Sequence, residues 1–240
     1  MLWIISVITY KWGKKVREAS PIETFKISEI ISTSSFAMLS LILGFTYSMA
    51  VSRFELRRKL VVDEANAIST TYLRGKIIHV DAAKYKQLYK HYLDLRIESY
   101  DSYDNPERMK EIKRATGLIQ KEIFLDLEDI TLKNRGALES AYIYALTGMF
   151  DSEFERSIAL DINLPTTIYI IIIMIAIVTI GMLNFDRGYS QKESHWAMTL
   201  FIVVFAVVVC FIHDLDHPHT GAVRISQAAL LQLRDSWVFQ

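Results

Sequence analysis

The chain has 240 residues, with 27 Lys and Arg against 27 Asp and Glu, so its formal net charge is zero. That balance argues against a nucleic-acid binder, which carries a basic excess on one face, and the single cysteine, Cys210, excludes an intrachain disulfide. Apolar residues make up 51% of the chain and are concentrated in a few runs, which points to a membrane protein.

The opening MLWIISVITY is apolar for about ten residues before Lys11, too short to cross a bilayer unaided. No small-residue cleavage site follows it, so a removed signal peptide is not expected. Residues 11–29 read as a basic amphipathic connector carrying Lys11, Lys14, Lys15 and Arg17, and complete an N-terminal segment over 1–29. Such a cluster ordinarily marks a cytoplasmic flank.

Residues 30–52 hold no charge; roughly 23 residues give about 34 Å of helix, enough to cross a hydrocarbon core of about 30 Å. No Pro or Gly pair follows Ser52, so the spacing predicts one helix that continues through Arg53, Glu55, Arg57, Arg58 and Lys59 into LVVDEANAISTTYL. Ser40, Gly44, Ser48 and Ser52 form a small-residue stripe that lets another helix come close. Ala37, Leu41 and Phe45 form a neighbouring four-residue row of apolar groups. With several copies around an axis that row becomes a dewetting constriction, while plain helix packing is the other reading of the same pattern. Arg53, Arg57, Arg58 and Lys59 claim the cytoplasm for this end of the span, so basic counts leave its orientation open. Asp63 and Glu64 read either as a cation-attracting ring around a pore or as a solvated, salt-bridged face.

Residues 53–163 form the expected helical bundle. KYKQLYKHYLDLRIESYDSY places Tyr85, Leu88, Tyr89, Tyr92, Leu95 and Tyr100 near helical spacing. Asn105 breaks that helix and Pro106 suits the first position of the next, which runs to a stop near 134–136. A further helix is expected from Ala137 to about Asp161. Residues 162–185 and 194–212 are again free of charge and long enough to span. The short turn at 186–193 makes them an antiparallel hairpin, placed over 164–213.

The tail, 214–240, opens on a cluster of Asp214, Asp216, His217 and His219, with His213 immediately before it. His213 and His217 stand one helical turn apart, as metal ligands would, but Pro218 breaks the helix that would align them. The other reading is structural, with Asp216 and His217 bonding to backbone at the membrane exit. No Gly-rich phosphate loop, nucleophile elbow or HExxH helix is present, so no catalytic residue is expected and the chain reads as a non-enzyme.

LGFTYSMAVSRFELRRKLVVDEANAISTTYLR, followed far downstream by DLDHPHTGAVRISQAAL, resembles the bestrophin-like family of bacterial membrane proteins, a domain of unknown function, over about residues 30–231. The likeness to bestrophins proper is more distant, carried by Leu43, Gly44 and Phe45 and then Arg53 and Phe54. Bestrophins are pentameric ion channels with a neck of three apolar residues one turn apart, and the matching positions are Ala37, Leu41 and Phe45. Their acidic calcium clasp follows the last membrane helix, where Asp214 and Asp216 stand; the long acid run of that clasp is absent. The resemblance places the bundle and tail in the cytoplasm, below the bacterial inner membrane.

These readings give an all-α, multi-pass membrane protein with about three full transmembrane helices, a short N-terminal apolar segment, and a soluble helical bundle continuous with the pore-lining helix. The expected function is passive ion conduction by a homo-oligomer, pentameric on the resemblance. Ala37, Leu41 and Phe45 form the neck, and Ser34, Ser48 and Ser52 offer hydroxyls above and below it. Asp63 and Glu64 would favour cations, Arg53 and Arg57 anions. Expected partners are the lipid bilayer, further copies of the chain and inorganic ions; no cofactor is expected beyond possible calcium at Asp214 and Asp216. The alternative is a non-conducting, membrane-tethered scaffold or signalling protein, supported by the Tyr-rich middle region.

Overall fold

A computed structural model describes residues 2–19, 23–78, 82–133, 136–190, 195–219 and 221–236. They are helical almost throughout, with no strand among the described residues: α1 (Leu2–Ala19), α2 (Glu23–Ile78), α3 (Ala82–Asp101), α4 (Pro106–Lys133), α5 (Ala137–Asp161), α6 (Thr166–Tyr189), α7 (His195–Asp216) and α8 (Ala228–Asp235). Three stretches, within Glu29–Ile78, Ala137–Tyr189 and Trp196–Asp216, are long and apolar enough to cross a membrane. The chain divides into two compact units, Met1–Ser52 with Leu164–Asp216 and Arg53–Asn163 with His217–Gln240. α2 is one uninterrupted helix of 56 residues that contributes to both.

In the first unit, the opening segment and its basic connector are not two pieces. Residues Leu2–Ala19 form a single helix, and α2 already begins at Glu23. The charges from Lys11 onward sit on one side of α1 and do not stop it. Two glycines let α1 meet α6 at backbone distance: a Cβ on Gly13 would run into the Phe185 carbonyl, and one on Gly188 into the Tyr10 carbonyl. Trp12 packs on Phe185 at 5.1 Å, and the Arg17 guanidinium donates to the Tyr189 carbonyl at 3.1 Å. That bond puts a cation on the terminal carbonyls of α6, where the helix dipole favours it.

α2, α6 and α7 share a second apolar cluster built on Leu39, Ile172, Ala176 and Phe205. The Ser32 hydroxyl donates to the Asp186 carboxylate. The expected turn at 186–193 starts later than the sequence suggests, since 186–189 are the last turn of α6; residues 191–194 lie outside the described residues, as do 20–22 of the connector and 237–240 of the tail.

The second unit has a core of tyrosines. Tyr85, Tyr89 and Tyr92 of α3 are buried with Tyr72 of α2 and Tyr142 of α5, among Ile68, Leu93, Ile112, Ile123, Leu146 and Met149. Three of their hydroxyls are satisfied locally, as buried polar groups require: Tyr85 donates to the Thr71 carbonyl at 3.1 Å, and the Tyr89 and Tyr142 hydroxyls bond at 3.0 Å. Burial pushes the Tyr85, Tyr89 and Tyr142 phenols above their ordinary range. The stripe that suggested an interaction surface is therefore internal. At the start of α4, Asn105 caps the Arg108 amide at 3.1 Å, with Pro106 in the first turn.

Candidate functional site

On α2 the row Ala37, Leu41 and Phe45 is exposed, Leu41 at 58% and Phe45 at 63%, and Ser34, Ser48 and Ser52 are exposed with it. Leu39, Thr46 and Ala50 are buried. At about 100° per residue the buried set lies roughly 160° around the helix from the exposed row. The cause is the sequence's phase. Leu39 packs into Ile172, Ala176 and Phe205, Phe36 meets Phe201 at 5.7 Å, and Tyr47 stacks with Phe211 at 6.2 Å, so one side of the helix is taken by α6 and α7. A Cβ on Gly44 would meet nothing within 4 Å, which leaves the small-residue stripe uncovered as well. The helix thus presents a face of apolar groups and hydroxyls that the other described residues leave uncovered.

Beyond Ser52 the charged candidates separate. Arg57 is only 2% exposed: its Nε donates to the Ala159 carbonyl at 2.8 Å, and its Nη2 to the Ile162 carbonyl at 2.8 Å and the Asn163 Oδ1 at 2.9 Å. It caps the C-terminal end of α5, whose last carbonyls lack helical partners, and is not free to attract anions. Arg53 is half-buried and donates to the Ile162 carbonyl at 3.2 Å. Beside these arginines an open groove of about 500 Å³ is lined by Leu56, Leu60, Phe154 and Ile158.

Glu64 corrects the expected acidic ring. It is 0% exposed; Arg96 Nε donates to it at 2.6 Å, and Arg156 Nη1 pairs with its other oxygen. Arg96 also pairs with Glu153 at 3.1 Å, and Arg156 donates to the Gln227 Oε1 at 2.6 Å. Two carboxylates and two guanidinium groups thus neutralise each other within one unit, joining α2, α3, α5 and the segment before α8. A DE pair places its acids about 100° apart on a helix, so Asp63 stays half-exposed while Glu64 turns inward.

The tail cluster also comes apart. No group of three His, Cys, Asp or Glu among the described residues is placed to hold a metal ion. Asp216 is 0% exposed and accepts the Leu164 amide at 3.0 and 2.9 Å and the Tyr169 hydroxyl at 3.3 Å. Its carboxylate ties the end of α7 to the start of α6, closing the hairpin, and its charge suits a helix N-terminus. Asp214 is half-exposed and does not share that arrangement, while the His213 ring meets Tyr169 edge-on at 6.0 Å. The bonds of Asp216 are those of a structural residue.

His219 was a tail residue without a role in the sequence, and the structure gives it one in the second unit. Its ring stacks on Tyr103 at 3.7 Å and leans on Tyr100 at 4.7 Å. The Tyr100 hydroxyl donates to the Pro218 carbonyl at 3.2 Å and accepts the Ile225 amide at 2.9 Å, so one side chain holds both. Burial, aided by Arg57 and Arg156 and opposed by Asp104, pulls the His219 imidazole down to about 4. Only the HPH triplet hinted at this in the sequence.

No curated protein and no solved structure matches the chain. The model of the bestrophin-like domain matches residues 4–230, from the first turn of α1 to the start of α8, and the chain belongs to the bestrophin-like family.

Proposed function

We propose that the protein is a homo-oligomeric ion channel of the bacterial inner membrane, pentameric as bestrophins are, with α2 lining the pore and Ala37, Leu41 and Phe45 forming its neck. The observation that carries this is the exposed row on the side of α2 opposite to the packed one. A helix that buries one face in its own subunit and offers apolar rings and serines on the other is suited to surround a shared axis.

A second feature supports association of copies. Outside the apolar spans, α4 and α5 expose Leu118, Phe124, Tyr144 and Phe154, with Tyr144 at 79%. In the oligomeric reading a neighbouring copy would cover these side chains. Conduction in this reading is passive and involves no bond chemistry. Calcium has no part in it, because the Asp216 carboxylate already holds the Leu164 amide and the Tyr169 hydroxyl. With Glu64 and Arg57 committed inside the subunit, Asp63 and Arg53 are the charges left for ions to meet.

The test is a planar-bilayer recording of wild type, Leu41→Ala, Phe45→Ala and the double variant, with subunit number measured by native mass spectrometry. Wider necks should raise unitary conductance, most in the double variant. Unaltered conductance in all three, or a monomer or dimer, would leave the non-conducting scaffold. The cytoplasmic placement of the bundle is checked by Asp104→Cys in a Cys210→Ser background; labelling by a membrane-impermeant thiol reagent in intact cells would reverse it.

A further inference from the structure

Within the first unit a cavity of about 380 Å³ lies among α1, α6 and α7. Its lining combines the cations Lys11 and Lys14, one helical turn apart, with the apolar Trp3, Val7 and Met198 and with neutral polar groups that include Ser6, Asn184 and Thr199. No carboxylate lines it. Neither lysine is paired with an acid among the described residues.

A third cation, Arg187, reaches one of the lining residues. Arg187 Nη1 donates to the Asn184 Oδ1 at 3.1 Å, while its Nη2 is buried with no hydrogen-bond partner among the described residues. Lys11 and Lys14 are both exposed on α1, so an anion at the mouth of this acid-free cavity can reach the two together.

The cavity's place fixes what kind of anion. Asn184 is in the last turns of α6, and Met198 is in the first turn of α7, both helices apolar enough to span. Those ends of a spanning pair lie at headgroup depth. α1 runs alongside the last turns of α6, with Thr9 beside Gly181, Gly13 against Phe185 and Arg17 on the Tyr189 carbonyl, so its lysines share that depth, and it exposes Trp3, Ile4, Ile8 and Trp12. A free phosphate would use the lysines and leave Trp3, Val7 and Met198 idle. A phospholipid uses both kinds of lining.

From this geometry we infer that the cavity is a binding site for an anionic phospholipid, with its phosphate on Lys11 and Lys14 and an acyl chain along Trp3, Val7 and Met198. Basic pockets between membrane helices recognise anionic headgroups in this way. The site is independent of conduction. It also gives the basic helix a membrane role that does not depend on which side is cytoplasmic.

The full-length protein, purified in a neutral detergent, is melted with added phosphatidylglycerol, phosphatidylcholine of the same chains, or inorganic phosphate. Phosphatidylglycerol should raise the melting temperature by several degrees, as a ligand of the folded state does, and phosphatidylcholine and phosphate should not. The shift should vanish in Lys11→Gln/Lys14→Gln, persist in Lys11→Arg/Lys14→Arg, and persist in Lys15→Gln, whose residue does not line the cavity. Native mass spectrometry should show a retained anionic lipid on wild type and not on the double glutamine variant. An equal shift with phosphatidylcholine, an equal shift with phosphate, or loss of the shift in Lys15→Gln would each overturn the proposal.

Discussion

Replacing Glu64 with alanine asks whether that acid faces an axis or the inside of its own subunit. In the wild type its two oxygens hold Arg96 and Arg156, whose side chains are 6% and 1% exposed, and Glu153 supplies the only other carboxylate of the cluster. Removing Glu64 leaves two buried guanidinium groups against one acid, an uncompensated charge that costs about 3–5 kcal/mol. For a chain of this size each kcal/mol lowers the melting temperature by about 2–4 °C, so the expected fall is about 6–20 °C. Glu64→Gln keeps an acceptor but not the charge and should lose a large part of that. Asp63→Ala, one residue away and half-exposed, should stay within about 0.5 kcal/mol of wild type. The assay is thermal unfolding of the purified chain at a fixed scan rate, alongside reversal-potential measurements under an ion gradient. A Glu64→Ala protein that melts within 2 °C, roughly what one kcal/mol or less would move, yet changes its ion selectivity, would show that Glu64 lines the conduit and that the buried network has been misassigned.

Four further outcomes follow from the geometry. His219 is held at about 4 against an ordinary 6.5, so the unfolded chain takes up its proton first as pH falls; wild-type stability should be level above pH 7 and decline between about pH 6.5 and 4, by about 2 kcal/mol after allowance for solvent screening. His219→Phe keeps the stack on Tyr103 and should gain on wild type across that window, and a constant difference would refute the assignment. Asp216→Ala strips the buried Leu164 amide of its acceptor and should cost about 1–3 kcal/mol by thermal melting, with Asp216→Asn milder and added calcium leaving wild type unmoved. Gly75→Ala drives a Cβ into the Tyr85 hydroxyl and the Tyr142 ring, and should destabilise by about 1–3 kcal/mol despite alanine's better helix propensity. Gly117→Ala, in open space on α4, should instead gain about 0.5–1 kcal/mol in a dissociated subunit, both being read from denaturant midpoints.

The membrane spans were legible because charge-free runs of that length have few other uses, and α2 was legible as one helix because nothing between Ser52 and Ile78 breaks it. What local sequence could not give was the fate of individual charges. Asp63 and Glu64 look alike as neighbours, and the partners that separate them, Arg96 and Arg156, lie 32 and 92 residues away. One signal was nevertheless present. Ala50, Arg57, Glu64 and Thr71 recur at seven-residue steps, and all four are buried. A straight helix drifts only about 20° per such step, so a residue in phase with Ala50 had to face inward whatever its charge. The N-terminal connector misled for the opposite reason: Lys11, Lys14 and Lys15 suggested an end to apolar packing, while Gly13 between them marked a point of backbone contact with α6.

The same phase argument bears on the proposed pore. The buried side of α2 is fixed by two independent sets of bonds, Leu39 among Ile172, Ala176 and Phe205 in one unit, and Glu64 with its arginines in the other. Turning Leu41 and Phe45 away from their present face would require rotating Leu39 out of its cluster, because about 100° per residue leaves no slack between the two rows. Gating by rotation of α2 alone would therefore expose Leu39 and Ala50, and widening of the neck is better served by outward movement of whole subunits or by wetting of the row itself. Engineered cysteines at Phe45 should consequently cross-link between copies in the closed state, and cysteines at Leu39 should not in any state. Cross-linking through Leu39 would show that the packed side of the helix is not the fixed one, and would remove the basis for assigning Ala37, Leu41 and Phe45 to the axis.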